Sequence, residues 1–328
     1  MDITGVVGVG FSPYLANPKW KVLGSALLPK PALLSYEQAA TGSFDSQWAQ
    51  MEGIVRSFAQ QAEGNVLVID VATPTGTFKV RVPEYHAPFP IQLVDAKVRF
   101  RGVCASAFNQ RNQLVAIHMM VPGIANAKVI QGAPADPFAV PTTSVDQIGR
   151  FSTQAAEVHR VKVQGVITAR FPGRGLFLMD PSGGVYAESQ DGSPVEAGDE
   201  VEVIGFPSSG NYSTVLKSAG IRPTGKHQSI LPAKIGGKTA LKGGYDARLV
   251  TISGMVQAVN LLPGSYTLVL QSEDHVNFTA RFAVPPHIHS ILPKDSKLSL
   301  TGICSIKTDE NGNPAAFEIV LSHRVIIN

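Results

Sequence analysis

Cysteine is nearly absent from these 328 residues: Cys104 and Cys304 are the only two. A disulfide-stapled secreted scaffold is therefore excluded. Neither cysteine sits in a CxxC pair, so no thiolate zinc site is predicted. Charge is also sparse. Asp, Glu, Lys and Arg together make up 16% and the formal net charge is +3, which gives no strong electrostatic footprint for nucleic acid. No run of eighteen apolar residues occurs, so no membrane-spanning helix is predicted. The segment Met1-Asp2-Ile3-Thr4-Gly5 has no basic n-region and no apolar h-region.

Catalytic signatures are missing as well. There is no G-x-S-x-G elbow. Gly236-Gly237-Lys238-Thr239 resembles the end of a phosphate-binding loop, but Pro232 stands where the first glycine is required, so it reads as a flexible linker. Asp309-Glu310-Asn311-Gly312-Asn313 begins like a calcium loop. Pro314 and Val320 occupy its sixth and twelfth positions, and Asn311-Gly312 reads instead as a hairpin turn. His287-Ile288-His289 offers two imidazoles without a third ligand. No catalytic residue, cofactor or metal is assigned.

What the chain has is a repeat. Apolar alternation closing on a glycine appears as Trp48–Val55, Arg160–Ile167 and Leu249–Val256. A second such segment follows each, at Asp95–Cys104, Gly198–Pro207 and Asp295–Cys304. These are period-2 strands with an internal glycine, which predicts a bulge or bend. Two more strands fit between the markers and a fifth follows, as in Tyr212–Leu216 of the middle unit. Five short strands with a bent first strand predict an all-β chain of tandem OB-like barrels with short connecting helices. Cys104 and Cys304 hold equivalent places and read as buried small hydrophobes.

The predicted domains are 1–32, the C-terminal half of a truncated OB-like barrel; 33–132 and 133–226, complete barrels; and 227–328, a more divergent one. The first rests on Asp2–Val6 matching the second marker and Tyr14–Val22 the fifth strand, which makes the sequence read as a piece of a longer protein. Ser35-x-x-Gln38 and Ser144-x-x-Gln147 are capping boxes that predict short helices ahead of two barrels.

The middle unit runs Val163-Gln164-Gly165-Val166-Ile167-Thr168, then Leu176–Tyr186 with its Pro181-Ser182-Gly183-Gly184 turn, then Gly198–Pro207. Together with Phe44–Arg56 and Ala135-Asp136-Pro137-Phe138, it resembles the repeated OB-like modules in the extracytoplasmic region of bacterial two-component sensor histidine kinases. The resemblance implies a periplasmic sensing region, non-catalytic in itself, with a signal peptide, membrane helix and kinase in flanking sequence. It assigns no ligand and no site residue. Its partners would be a small ligand or a periplasmic protein, with a homodimer left open and nucleic acid not expected.

One face stands out on residue type alone. Phe171, Arg174, Phe177, Tyr186 and Tyr212 of the middle unit combine aromatics with a cation, as surfaces that bind single-stranded nucleic acid, saccharide or a small ligand do. Core packing of alternate members is the competing reading, and a passive spacer with no ligand is the third.

Overall fold

The computed structural model describes residues 1–9, 13–109, 111, 113–149, 159–262, 265–282 and 295–321. The chain forms two compact units, Met1–Ala135 and Asp136–Asn328.

In the first unit, strands β1 (Asp2–Gly8) and β2 (Tyr14–Lys21) form a separate antiparallel hairpin. A barrel follows, built from β4 (Trp48–Gln61), β5 (Val66–Thr73), β6 (Gly76–Val82), β7 (Lys97–Phe108) and β8 (Leu114–Met120). β3 (Ala32–Leu34) and β9 (Ala127–Gln131) extend it at its ends. The order β4-β5-β6-β8-β7, closed by the β4–β7 pairing, is the first–second–third–fifth–fourth order of an OB barrel. Alternation puts Leu67, Ile69, Val71, Phe78, Val80, Val98 and Phe100 inside.

The second unit holds two barrels of the same topology. One is β10 (Val161–Phe171), β11 (Gly175–Met179), β12 (Gly184–Glu188), β13 (Asp199–Ser209) and β14 (Thr214–His227), closed through β10–β13. The other is β16 (Leu249–Leu262), β17 (Ser265–Ser272), β18 (Asn277–Phe282), β19 (Lys297–Thr308) and β20 (Pro314–Leu321), closed through β16–β19, with β15 (Ala233–Lys234) beside β16. Each barrel has its own apolar core.

The strand glycines behave differently from expectation. In each first strand the register shift falls just after the glycine, at Val55/Ser57, Ile167/Ala169 and Val256/Ala258. The glycine marks close approach instead. A Cβ on Gly53 would lie 2.6 Å from the Ala72 carbonyl oxygen, and one on Gly165 2.5 Å from that of Met179. The bend and the bare backbone together let a short sheet wrap onto itself.

The connectors match expectation at Ser35 and depart from it at two other places. Ser35 does form a capping box for helix α1 (Tyr36–Ala40): its hydroxyl accepts from Gln38 N–H and the Gln38 side chain accepts from Ser35 N–H. Ser144 does not cap. Its hydroxyl donates to Asp146, and a single 3-10 turn at Val145–Gln147 is held by the turn between β11 and β12 instead. There Asp180 Oδ2 accepts from Val145 N–H at 2.9 Å and Ser182 Oγ from Asp146 N–H at 3.0 Å. The segment read as a flexible linker contains helix α2 (Gly237–Ala240). The Asp274 carboxylate, from the equivalent turn of the next barrel, accepts from Gly237 and Lys238 N–H at 3.0 and 2.8 Å. A carboxylate distant in sequence does what a local cap does elsewhere, which no local motif displays.

The two cysteines are buried and free, as their repeat position predicts. Each makes the same backbone bonds to the turn before strand one. Cys104 pairs with Ser46 and Gln47, and Cys304 with Ala247 and Arg248.

Candidate ligand face between the second and third barrels

The face singled out from residue type assembles at the seam inside the second unit. Along β11 and β12, Leu176, Leu178, Val185 and Ala187 point into the core, so Phe177 and Tyr186 point out. These two are register partners, with ring centroids 4.8 Å apart. Phe171, at the end of β10, meets Phe177 edge-on at 5.9 Å. Arg174 closes the turn between β10 and β11 and is exposed. Its N–H bonds Phe171 O at 3.0 Å, Gly173 supplies φ of 72°, and the Tyr186 hydroxyl donates to Arg174 O at 2.9 Å. Tyr186 thus supports the turn that carries the cation.

Tyr212 was expected to open the fifth strand. It lies instead in the loop between β13 and β14, since β14 begins at Thr214. Its hydroxyl end lies against Gly243 of the third barrel, where a Cβ would collide with it. The five residues therefore occupy the strand-two/strand-three face, with its neighbouring Phe171, and the two loops that OB barrels use for ligands.

The third barrel forms the opposite wall. Ile303 and Val320 bury against Ala169, with Phe171, Phe177 and Leu249 packed around them. Leu249 N–H reaches Met179 Sδ at 3.2 Å, Thr308 Oγ1 donates to Asn211 O at 3.3 Å, and Arg248 donates to Ser182 O. Two cavities with shared walls lie at this seam. One, about 220 Å³, is bordered by Phe171, Arg174, Phe177, Tyr186, Arg281, Ser305 and Val320. The other, about 170 Å³, shares Phe177, Tyr186 and Ser305 and adds Tyr212. Phe171 and Phe177 thus serve partly as seam packing, whereas Arg174, Tyr186 and Tyr212 border open space. Sequence reasoning missed Arg281, Ser305 and Val320. They sit about a hundred residues away and arrive only through barrel docking.

The chemistry of this cleft is that of binding. Burial, with Glu188 adding and Arg174 opposing, pushes the Tyr186 phenol above its ordinary range, so it stays protonated. Cys304 borders the smaller cavity, but burial, with Asp246 adding, pushes its thiol up to about 12. A neutral buried thiol is a poor nucleophile. Arg281 pairs with Glu318 at 3.1 Å, which Lys307 also contacts at 3.1 Å. Among the described residues no group of three His, Cys, Asp or Glu could hold a metal. His287 and His289 lie outside the described residues.

No protein-family model matches the sequence, and no curated protein does. Among solved structures, the chain is similar to the p204 HINb domain, at 10% identity over 52% of this chain and 95% of that one, TM-score 0.24. It is similar to fission yeast Pot1 with single-stranded DNA, at 12% identity over 58% and 88%, TM-score 0.28. It is also similar to the Ifi202 HINa domain in complex with double-stranded DNA, at 14% identity over 53% and 95%, TM-score 0.22. At such identities the likeness concerns the fold. Two of these similar structures hold DNA, which runs counter to the expectation that nucleic acid is not a partner. The low overall charge behind that expectation describes the whole surface and not one cleft. Among the described residues no helix is long and apolar enough to cross a membrane.

Proposed function

We propose that this tandem OB-barrel chain is a non-catalytic recognition protein whose middle barrel binds a single-stranded nucleic acid at the seam with the third barrel. The observation that carries the reading is the convergence of Phe171, Phe177 and Tyr186 with the loop residues Arg174 and Tyr212 on one OB ligand face. Base rings stack on aromatic faces whatever their sequence, at about 1–3 kcal/mol per base. Arg174, exposed on its turn, is placed to meet phosphate. Titration of labelled oligo-dT and oligo-rU at two salt concentrations tests this. Affinity should fall with salt, and with Arg174→Glu or Tyr212→Ala. Salt-independent or absent binding sinks it.

A second reading is favoured by one feature: the cleft is walled by both barrels, so its occupant touches both. In this reading the chain is an extracytoplasmic sensing region of a sensor histidine kinase, as the module resemblance implies. A small planar ligand would then bias the angle between barrels. A metabolite panel screened by thermal shift, with Tyr186→Ala as control, separates it from the first. Stabilisation by a small molecule without oligonucleotide binding favours sensing.

A further inference from the structure

We propose that the β1–β2 hairpin is the fourth-and-fifth-strand half of another OB barrel, and that its exposed apolar face docks a three-stranded antiparallel meander equivalent to strands one to three of the complete barrels.

The middle barrel supplies the template. In β13–β14 the register shifts at Gly205, between Ile204↔Gly220 and Phe206↔Lys217, and Ser218 opposite adopts φ of 51°. In β1–β2 it shifts at Gly5, between Thr4↔Lys19 and Val6↔Ala16, and Asn17 opposite adopts φ of 48°. The surroundings match too. A Cβ on Gly205 would meet Leu216 Cβ and Lys217 O, and one on Gly5 would meet Leu15 Cβ and Ala16 O, their counterparts. A bulge that pairs a bare glycine with a left-handed residue bends both hairpins at the same point.

That correspondence fixes each face. Val201, Val203, Leu216 and Ile221 line the middle barrel's core at 0, 0, 0 and 7% exposure. Their counterparts Met1, Ile3, Leu15 and Trp20 are all apolar, yet stand at 70, 47, 43 and 67%. The opposite face is polar at its Asp2 end, where Thr4 also pairs with Lys19, and carries Val6, Ala16 and Tyr14 beyond the bulge. Asp2 pairs in register with Lys21, where Glu202 pairs with Arg222. A two-stranded sheet with a core-type face and a solvent-type face has an interior side without its cover. In the template the strands closing that side are β10–β12, so a meander of that kind is the occupant.

The test grafts residues 160–200, which carry strands one to three and the following connector, ahead of Met1 in the 328-residue chain. Trp48→Phe leaves Trp20 as the single tryptophan. Trp20 emission should shift to the blue, acrylamide quenching should fall several-fold, and amides of Ile3–Val7 should gain hydrogen-exchange protection. Adding Ile3→Arg should reverse all three while the other barrels melt unchanged. A grafted chain in which Trp20 stays as quenchable as before overturns the proposal. So does an ungrafted chain that already shields Trp20 by dimerising, because the face would then fit a second copy. The readouts are taken at Trp20 and Ile3–Val7, none of which lines the inter-barrel cleft, so they stand or fall apart from the nucleic-acid reading.

Discussion

The Tyr186 hydroxyl donates to the carbonyl of Arg174 at 2.9 Å, so an aromatic on the ligand face also holds the loop that presents the cation. Two functions of one side chain can be separated by substitution. Tyr186→Phe keeps the ring and loses the hydrogen bond, at a cost of about 1 kcal/mol in stability. Tyr186→Ala also removes the stacking surface. Oligonucleotide affinity should fall by roughly tenfold or more for Ala, in line with one lost base stack, and far less for Phe. Anisotropy titration alongside thermal melts distinguishes the two effects.

Asp274→Ala should destabilise the third barrel by about 1–2 kcal/mol, because two backbone amides of α2 lose their acceptor. Ser272, followed by the amide of Lys238, holds the Asp274 carboxyl below its ordinary range. Asp274→Asn should recover part of the loss. Chemical denaturation of the three proteins checks the order.

Stability should decline in acid. Burial pushes Glu318 upward, but Arg281 and Lys307 outweigh it and hold the carboxyl below its usual range. Arg222 and Lys162 do the same for Glu202 against a smaller burial effect. A carboxyl lowered on folding contributes fully above its unfolded pKa of about 4.3 and loses that contribution as pH falls through the folded value. Melting temperature should therefore be flat from neutral pH down to that range and drop below it. Glu318→Gln should flatten the acid limb while lowering the neutral-pH melting temperature.

Cys304 should resist thiol reagents at pH 8 until the chain is unfolded, since burial pushes its pKa up to about 12. Cys104, raised by burial as well, should behave alike. Counting free thiols with and without denaturant checks this. Rapid native labelling would mean that the third barrel opens readily.

Much of the barrel architecture was legible because it is written in periodicity. Alternation of apolar residues and the paired glycine markers located the strands of every barrel, and Cys104 and Cys304 signalled equivalence by position. The helical cap at α2 was not legible, because Asp274 acts across 37 residues and its effect appears only when the barrel closes. The ligand face was half legible. Phe171, Phe177 and Tyr186 carry an aromatic pattern that can be read along the chain, but alternation alone cannot separate an outward ring from a core ring. Arg281 and Ser305 gave no local signal, since only the docking of the third barrel makes them neighbours of Tyr186.

The most direct measurement is titration of a fluorescent single-stranded oligonucleotide with the full chain and with Arg174→Glu, at low and at moderate salt. The account predicts binding that weakens as salt rises and is largely lost in the variant, whose melting temperature stays close to that of the parent because Arg174 is exposed. Binding that is absent, or that is indifferent to both salt and the substitution, would contradict it.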